Sequence, residues 1–240
     1  MSWPHHRFAR VLLIAYGLLF AALAFTPKDR FIWALENAPA LIAVTLLVIT
    51  ANRFPLSRIS YTFIFVFTCL HTIGAYYTYS VVPYNELTRA VFGSPMNDWF
   101  GWERNHFDRV VHFLYGLLIA YPIREYFLRV ADVRGFWGYC LPLDVAMSTS
   151  MGYELVEWLI AAIFGSGTAD YLGTQGDEWD AQKDMALATA GATIAMLVTA
   201  MVNWRLKRDF AREIAQSLRV KRVKPLGEDE IMALRKGTSD

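Results

Sequence analysis

Cysteine is almost absent from this chain of 240 residues: Cys69 and Cys140 stand alone in different segments. With no second cysteine near either one, a disulfide scaffold and a thiolate zinc knot are both excluded as organising principles. Charge is also thin, at 19% of residues, against roughly 25% in soluble domains. There is no glycine-rich phosphate loop, no nucleophile elbow, no pair of histidines one helical turn apart around a zinc-protease glutamate, and no internal repeat. These absences remove the common nucleotide-binding, serine-hydrolase, zincin and solenoid readings.

What remains is apolar. Hydrophobic residues make up 55% of the chain and recur in runs along its whole length. About 20 apolar residues in a helix cross a bilayer core, so the pattern predicts an all-α polytopic transmembrane bundle. Six spans are expected, near residues 9–25, 35–51, 60–82, 107–123, 138–164 and 184–204. The second has the shortest apolar core, because Glu36, Asn37 and Pro39 sit near its start; an interfacial beginning is expected there. The first follows His5, His6, Arg7 and Arg10 and contains Ala22-Leu23-Ala24. A cleaved signal peptide therefore competes with a retained anchor, and the anchor is the preferred reading. Six spans with short connections leave no room for a soluble domain, giving a membrane domain over 1–204 and a basic cytoplasmic tail over 205–240.

Orientation follows from the basic residues of alternate loops. One side collects Arg7, Arg10, Arg53, Arg58, Arg124, Arg129, Arg134 and every basic residue after Asn203. The other side has Lys28, Arg30, Arg89, Arg104 and Lys183, with Arg109 at a span mouth. Both termini are thus expected in the cytoplasm. The near-neutral net charge of +1 conceals this asymmetry, which points to membrane lipids as partners and away from nucleic acid. The stretch Arg205 to Lys224 is suited to the anionic inner leaflet, where each basic residue contributes about 1 kcal/mol, and equally to a solvated positive-inside stop signal.

Ionisable groups inside spans are expensive and mark function by default. On the fourth span Asp108 and His112 are four apart and share a face, which Tyr115 extends by a turn. Arg109 is rotated by about 100° from Asp108 and addresses another neighbour or a lipid phosphate. On the fifth span Glu154 and Glu157 are three apart, with Ser150 and Met147 continuing the stripe toward Asp144. Asp177, Asp180 and Asp184 line one face if the sixth helix begins early. Acids in a first helical turn also complement the helix dipole by ~0.3–1 kcal/mol each with no ligand at all; Asp184 is the deepest. His71, mid-span, reads as a neutral buried histidine bonded to one neighbour, and His106 as a loop residue.

Together Asp108, His112, Glu154, Glu157 and Asp184 are expected to converge in the outer half of the bundle. They offer oxygen and imidazole ligands for a divalent metal, or else a proton-bonded carboxylate and histidine network. Burying several acids beside one histidine requires a cation, protonation of some acids, or Arg109 and Lys183 as partners.

The segments Phe107-Asp108-Arg109-Val110-Val111-His112-Phe113, Tyr153-Glu154-Leu155-Val156-Glu157-Trp158 and Gly176-Asp177 through Asp184 resemble the YjdF-type family of uncharacterised bacterial inner-membrane proteins, over nearly the whole chain. A more distant likeness is to VanZ-like membrane proteins. Asp108, Arg109, His112 and Phe113 match the first part of that pattern and Glu154 the second; Glu157 stands where a Gln is usual. Asp184 and Gly191 match the last part, with Ala188 in place of an Asn. The likeness implies a cell-envelope role at lipids or wall precursors, and it implies no activity by itself.

Three functions are compatible with these residues. In the first, the cluster binds or moves a polar lipid or isoprenoid-phosphate headgroup, with Arg109 and Lys183 on the phosphate and Tyr153 and Trp158 lining a lipid groove. In the second, Asp108, Glu154, Glu157 and Asp184 hold a metal and His112 is ligand or base in a membrane hydrolase. In the third, the polar seam only fixes helix register, where contacts contribute about 0.5–2 kcal/mol. Five ionisable groups exceed what register requires.

Overall fold

The computed structural model describes residues 4–164, 174–206 and 210–221, with positions 227, 231, 232 and 234 beyond. In chain order the helices are α1 (Pro4–Ala24), α2 (Arg30–Thr50), α3 (Arg58–Tyr76), α4 (Tyr84–Phe92), α5 (Met96–Phe100), α6 (Phe107–Val130), α7 (Trp137–Phe164), α8 (Asp180–Leu206) and α9 (Phe210–Ser217). No strand occurs among the described residues. Six helices are long, and they fall on the six expected spans. Helices α1, α2, α3 and α8 are long and apolar enough to cross a membrane. Helices α6 and α7, of 24 and 28 residues, have the length but carry the ionisable groups that lower their apolar character.

Two boundaries differ from expectation, each for a local reason. Helix α2 begins at Arg30, five residues before the expected span start at 35, and runs through Pro39; it is started by an Asp29 side chain that accepts the Ile32 amide at 2.8 Å. Helix α3 stops at Tyr76 and does not reach residue 82. Thr78 and Tyr79 take left-handed backbone, with φ of 53° and 55°, and return the Tyr79 ring to the helix. Gly74 makes that return possible, since a Cβ there would lie 2.4 Å from the ring.

The interior is made of small residues and the large apolar side chains point outward, the inverse of a soluble core. Ala120, Ala146, Ala188 and Ala192 have no exposed surface, whereas Leu18, Ile49, Leu155 and Leu197 are more than half exposed. In lipid there is no hydrophobic drive to bury leucine, and close backbone approach supplies the attraction instead. The tightest example joins α6 to α8. A Cβ on Gly116 would lie 1.9 Å from the Ala188 carbonyl, and one on Gly191 would lie 2.1 Å from the Phe113 carbonyl. The two glycines are therefore reciprocal notches at one crossing.

The opposite end of the bundle is tied by Glu125 of α6. Its carboxylate accepts the Ser57 amide at 2.9 Å, the Ser60 hydroxyl at 2.6 Å and Arg129 at 2.8 Å. The segment expected to be a plain basic tail opens with α9, which docks on the start of α7. Ser217 Oγ accepts the Phe136 amide at 2.9 Å, and Glu213 accepts the Gly135 amide at 3.1 Å. Gly135 is at φ 62° with Ser217 against it, so a side chain there would be both strained and crowded.

Candidate functional site

Helices α2, α6 and α8 begin, and α3 and α7 end, at the same end of the bundle, and the polar residues of all five gather there. The four-residue spacing of Asp108 and His112 puts His112 Nε2 at 3.6 Å from Asp108 Oδ1. Across the α6–α7 seam the same nitrogen lies 3.4 Å from Glu154 Oε1. Asp184 closes the group from α8: one donor atom each from Asp108, His112 and Asp184 lies within 4.8 Å of the others. Asp184 and Glu154 are 2% and 9% exposed. Asp184 Oδ1 and Glu154 Oε1 are buried and accept no hydrogen bond, although an unsatisfied buried acceptor costs ~1–3 kcal/mol.

Four of the five expected residues are thus brought together directly, and Glu157 joins them through a side-chain hydrogen bond with Glu154 at the edge of a cavity. That cavity, of about 360 Å³, is bounded by α2, α3, α6 and α7, and Asp108, His112, Ser150 and Glu157 face it. Two side chains expected on the seam face elsewhere. Met147 is 40% exposed, because the buried stripe of α7 runs from Glu154 through Ser150 to Ala146; Trp158 is 64% exposed and looks outward, leaving Tyr153 alone on the cavity wall.

The acidic turn before α8 divides in two. The helix begins at Asp180, so Asp177 belongs to the preceding turn and not to the Asp184 face. Arg109 and Lys183 both donate to Asp177 Oδ2, Lys183 at 2.5 Å, and Arg109 also reaches Asp180 at 3.3 Å. The Lys183 hydrogen bond, with help from the Trp179 amide and Arg109, holds the Asp177 carboxyl well below its ordinary range. Arg104, legible in sequence only as a loop charge, donates to Asp180 and to the Thr174 carbonyl. His106 lies beneath Trp102, and burial first, then the charges of Arg109 and Arg104, press its pKa down.

A second polar chain lies on the far wall, and sequence reasoning missed most of it. Glu36, 2% exposed, accepts from the Tyr153 hydroxyl. His71 has two partners where one was expected: Nε2 meets the Glu36 carbonyl at 2.9 Å and Nδ1 meets the Tyr79 hydroxyl at 2.5 Å. A carbonyl only accepts, so Nε2 carries the proton and Nδ1 accepts from Tyr79, a neutral tautomer fixed by its neighbours. The one signal in the sequence was the Glu36, Asn37 and Pro39 cluster, which reads equally as a weak span start.

No solved structure matches the chain. The inner membrane protein YjdF of Escherichia coli (strain K12) is 37% identical over 198 residues, covering 80% of this chain and 89% of that protein. The family described as "Predicted membrane protein (DUF2238)" matches residues 8–205, from the start of α1 to the end of α8, and the chain belongs to that family.

Proposed function

We propose that the chain is a multi-pass protein of the bacterial inner membrane that holds a divalent metal at Asp108, His112 and Asp184 and uses it in hydrolysis. The location is supported by the printed name of its Escherichia coli relative. The metal reading rests on one observation: three donor atoms within 4.8 Å of one another, with Asp184 buried and its Oδ1 without a donor. Separations of 3.4 Å and 3.6 Å around His112 Nε2 are too long for good hydrogen bonds. The 3.6 Å between the two ligand atoms His112 Nε2 and Asp108 Oδ1 is close to the edge length of about 3.0–3.4 Å between ligands that each stand ~2.1 Å from a common ion. Carboxylate oxygens with one imidazole suit Zn²⁺ or Mn²⁺. A metal held there would supply an acidified water, and Glu154, 3.4 Å from His112 Nε2, would serve as the general base toward it.

The alternative, recognition of a lipid phosphate by Arg109 and Lys183, is less well supported because both cations are committed to Asp177. Elemental analysis of the detergent-purified protein separates the two. A stoichiometric metal that is lost in the Glu154→Gln/Asp184→Asn double variant supports the hydrolase. Absence of metal from wild type after purification without chelator, and after incubation with Zn²⁺ or Mn²⁺, overturns it.

A further inference from the structure

The cavity beside the cluster has a chemistry of its own. Its polar lining carries two carboxylates, Asp108 and Glu157, and two histidines, His71 and His112, beside the aromatic rings of Phe67, Tyr79, Tyr115 and Tyr153, and neither lysine nor arginine lines it. At about 360 Å³ it lies within the ~300–1,000 Å³ of ligand pockets. Ser150, 3% exposed, faces it with a hydroxyl that has no hydrogen-bond partner. An unspent buried hydroxyl, together with acids and ring faces and no lysine or arginine, is an inventory suited to a positively charged, hydrogen-bonding group. Ring faces attract ammonium ions within about 6 Å.

The way in is lateral. Helix α2 packs chiefly against α3, and two contacts bridge it to α7: the Tyr153 hydroxyl on Glu36 and the Phe31–Phe164 ring pair at 5.4 Å. Pro39, Ala40 and Ala43 form the α2 side of the cavity; they are small and apolar, and offer an alkyl chain a smooth wall. Among the described residues these are the polar and ring contacts across the α2–α7 seam, and both helices turn large apolar side chains outward beside it, Ile42 and Leu155 among them.

We infer that this cavity binds the ammonium group of a membrane-dissolved amphiphile that enters between α2 and α7, with Glu157 as its counter-charge and Ser150 as a hydrogen-bond acceptor. Asp108 and His112 belong both to this cavity wall and to the proposed metal site, whereas Glu157 and Ser150 belong to the cavity and not to that trio; the inference is therefore carried by Glu157 and Ser150 and tested with chelator present. The full chain in nanodiscs is irradiated with diazirine-bearing dodecyl probes that end in an ammonium, a hydroxyl or a phosphate, and the labelled peptides are mapped by mass spectrometry. The ammonium probe is expected to label the cavity walls on α2 and α7, to be displaced by dodecylamine but not by ethanolamine at equal concentration, and to lose about tenfold in occupancy in Glu157→Gln, a change of ~1.4 kcal/mol. Labelling of the outward Trp158 face serves as the folding control and stays constant. Ser150→Ala, a smaller change, is expected to weaken labelling by a fewfold in a protein that inserts normally. Equal or stronger labelling of the cavity by the phosphate probe overturns the inference, as does ammonium labelling indifferent to both substitutions; displacement by ethanolamine overturns the lateral route.

Discussion

Single residues at the α6–α8 crossing and in the second polar chain carry consequences out of proportion to their size. Gly116→Ala and Gly191→Ala each drive a methyl group into backbone, which cannot rotate away. Overpacking usually costs ~1–3 kcal/mol, and these two belong at or above its upper end, seen as a lower thermal midpoint in detergent and loss of folded protein. Gly152→Ala is the control: nothing lies within 4 Å of its added Cβ, so the helix gains about 0.5–1 kcal/mol in propensity. His71→Phe keeps the ring volume but strands the Tyr79 hydroxyl and the Glu36 carbonyl, and is expected to destabilise the protein by ~1–3 kcal/mol per group left unpaired. Much of the site was legible at this scale. Asp108 and His112 announce themselves by spacing, and Glu154 and Asp184 by lying in apolar runs. Glu36 and Arg104 do not, because their meaning depends on partners far off in the chain: Tyr153 is 117 residues from Glu36, and no periodicity encodes such a pairing.

Between elements, the polar contacts act as fasteners of unequal strength. Tyr153→Phe removes the hydroxyl that holds Glu36 across the α2–α7 seam. Amide hydrogen exchange in α2 is expected to quicken, while α6 and α8, locked by their glycines, stay as protected as before; equal quickening in all three would mean a general loss of stability. At the head of α8 the fastener is ionic. Because the folded Asp177 carboxyl titrates below its ordinary 3.8, its contribution to stability is complete above that value and is lost as pH falls through the depressed one. The thermal midpoint is therefore expected to decline below about pH 4 in wild type, with a shallower decline in Asp177→Asn. Element boundaries were the less legible part of the fold. Periodicity marks where a helix is apolar, whereas a left-handed turn at Thr78 and Tyr79, or an Asp29 cap, decides where it ends.

For the whole molecule the membrane sets the logic: exposed leucines and isoleucines face lipid, and alanine and glycine make the interior. The topology expected from the loop charges places the Arg104, Asp177 and Asp180 clasp outside the cell. Ser94→Cys, in the connection between α4 and α5, is then expected to react with an impermeant maleimide in intact cells, and a cysteine at Thr238 only after permeabilisation; the reverse pattern would invert the molecule. The class of fold was fully readable from composition because length and apolarity alone decide membrane insertion. The docking of α9 on α7 was not, since a basic, polar segment carries no sign of what it rests on.

The glycine crossing also behaves as a pivot. Gly116 follows His112 by one helical turn, and Ala188 follows Asp184 by one turn, so the imidazole and carboxylate atoms of the two helices stand on lever arms of only ~5 Å. A rocking of α6 against α8 by about 10° shifts them by ~1 Å, while the far end of α6 at Arg129, some 20 Å beyond the pivot, swings three to four times as far. Thermal flexing of the bundle is thereby geared down at the cluster and spent at the opposite face of the membrane.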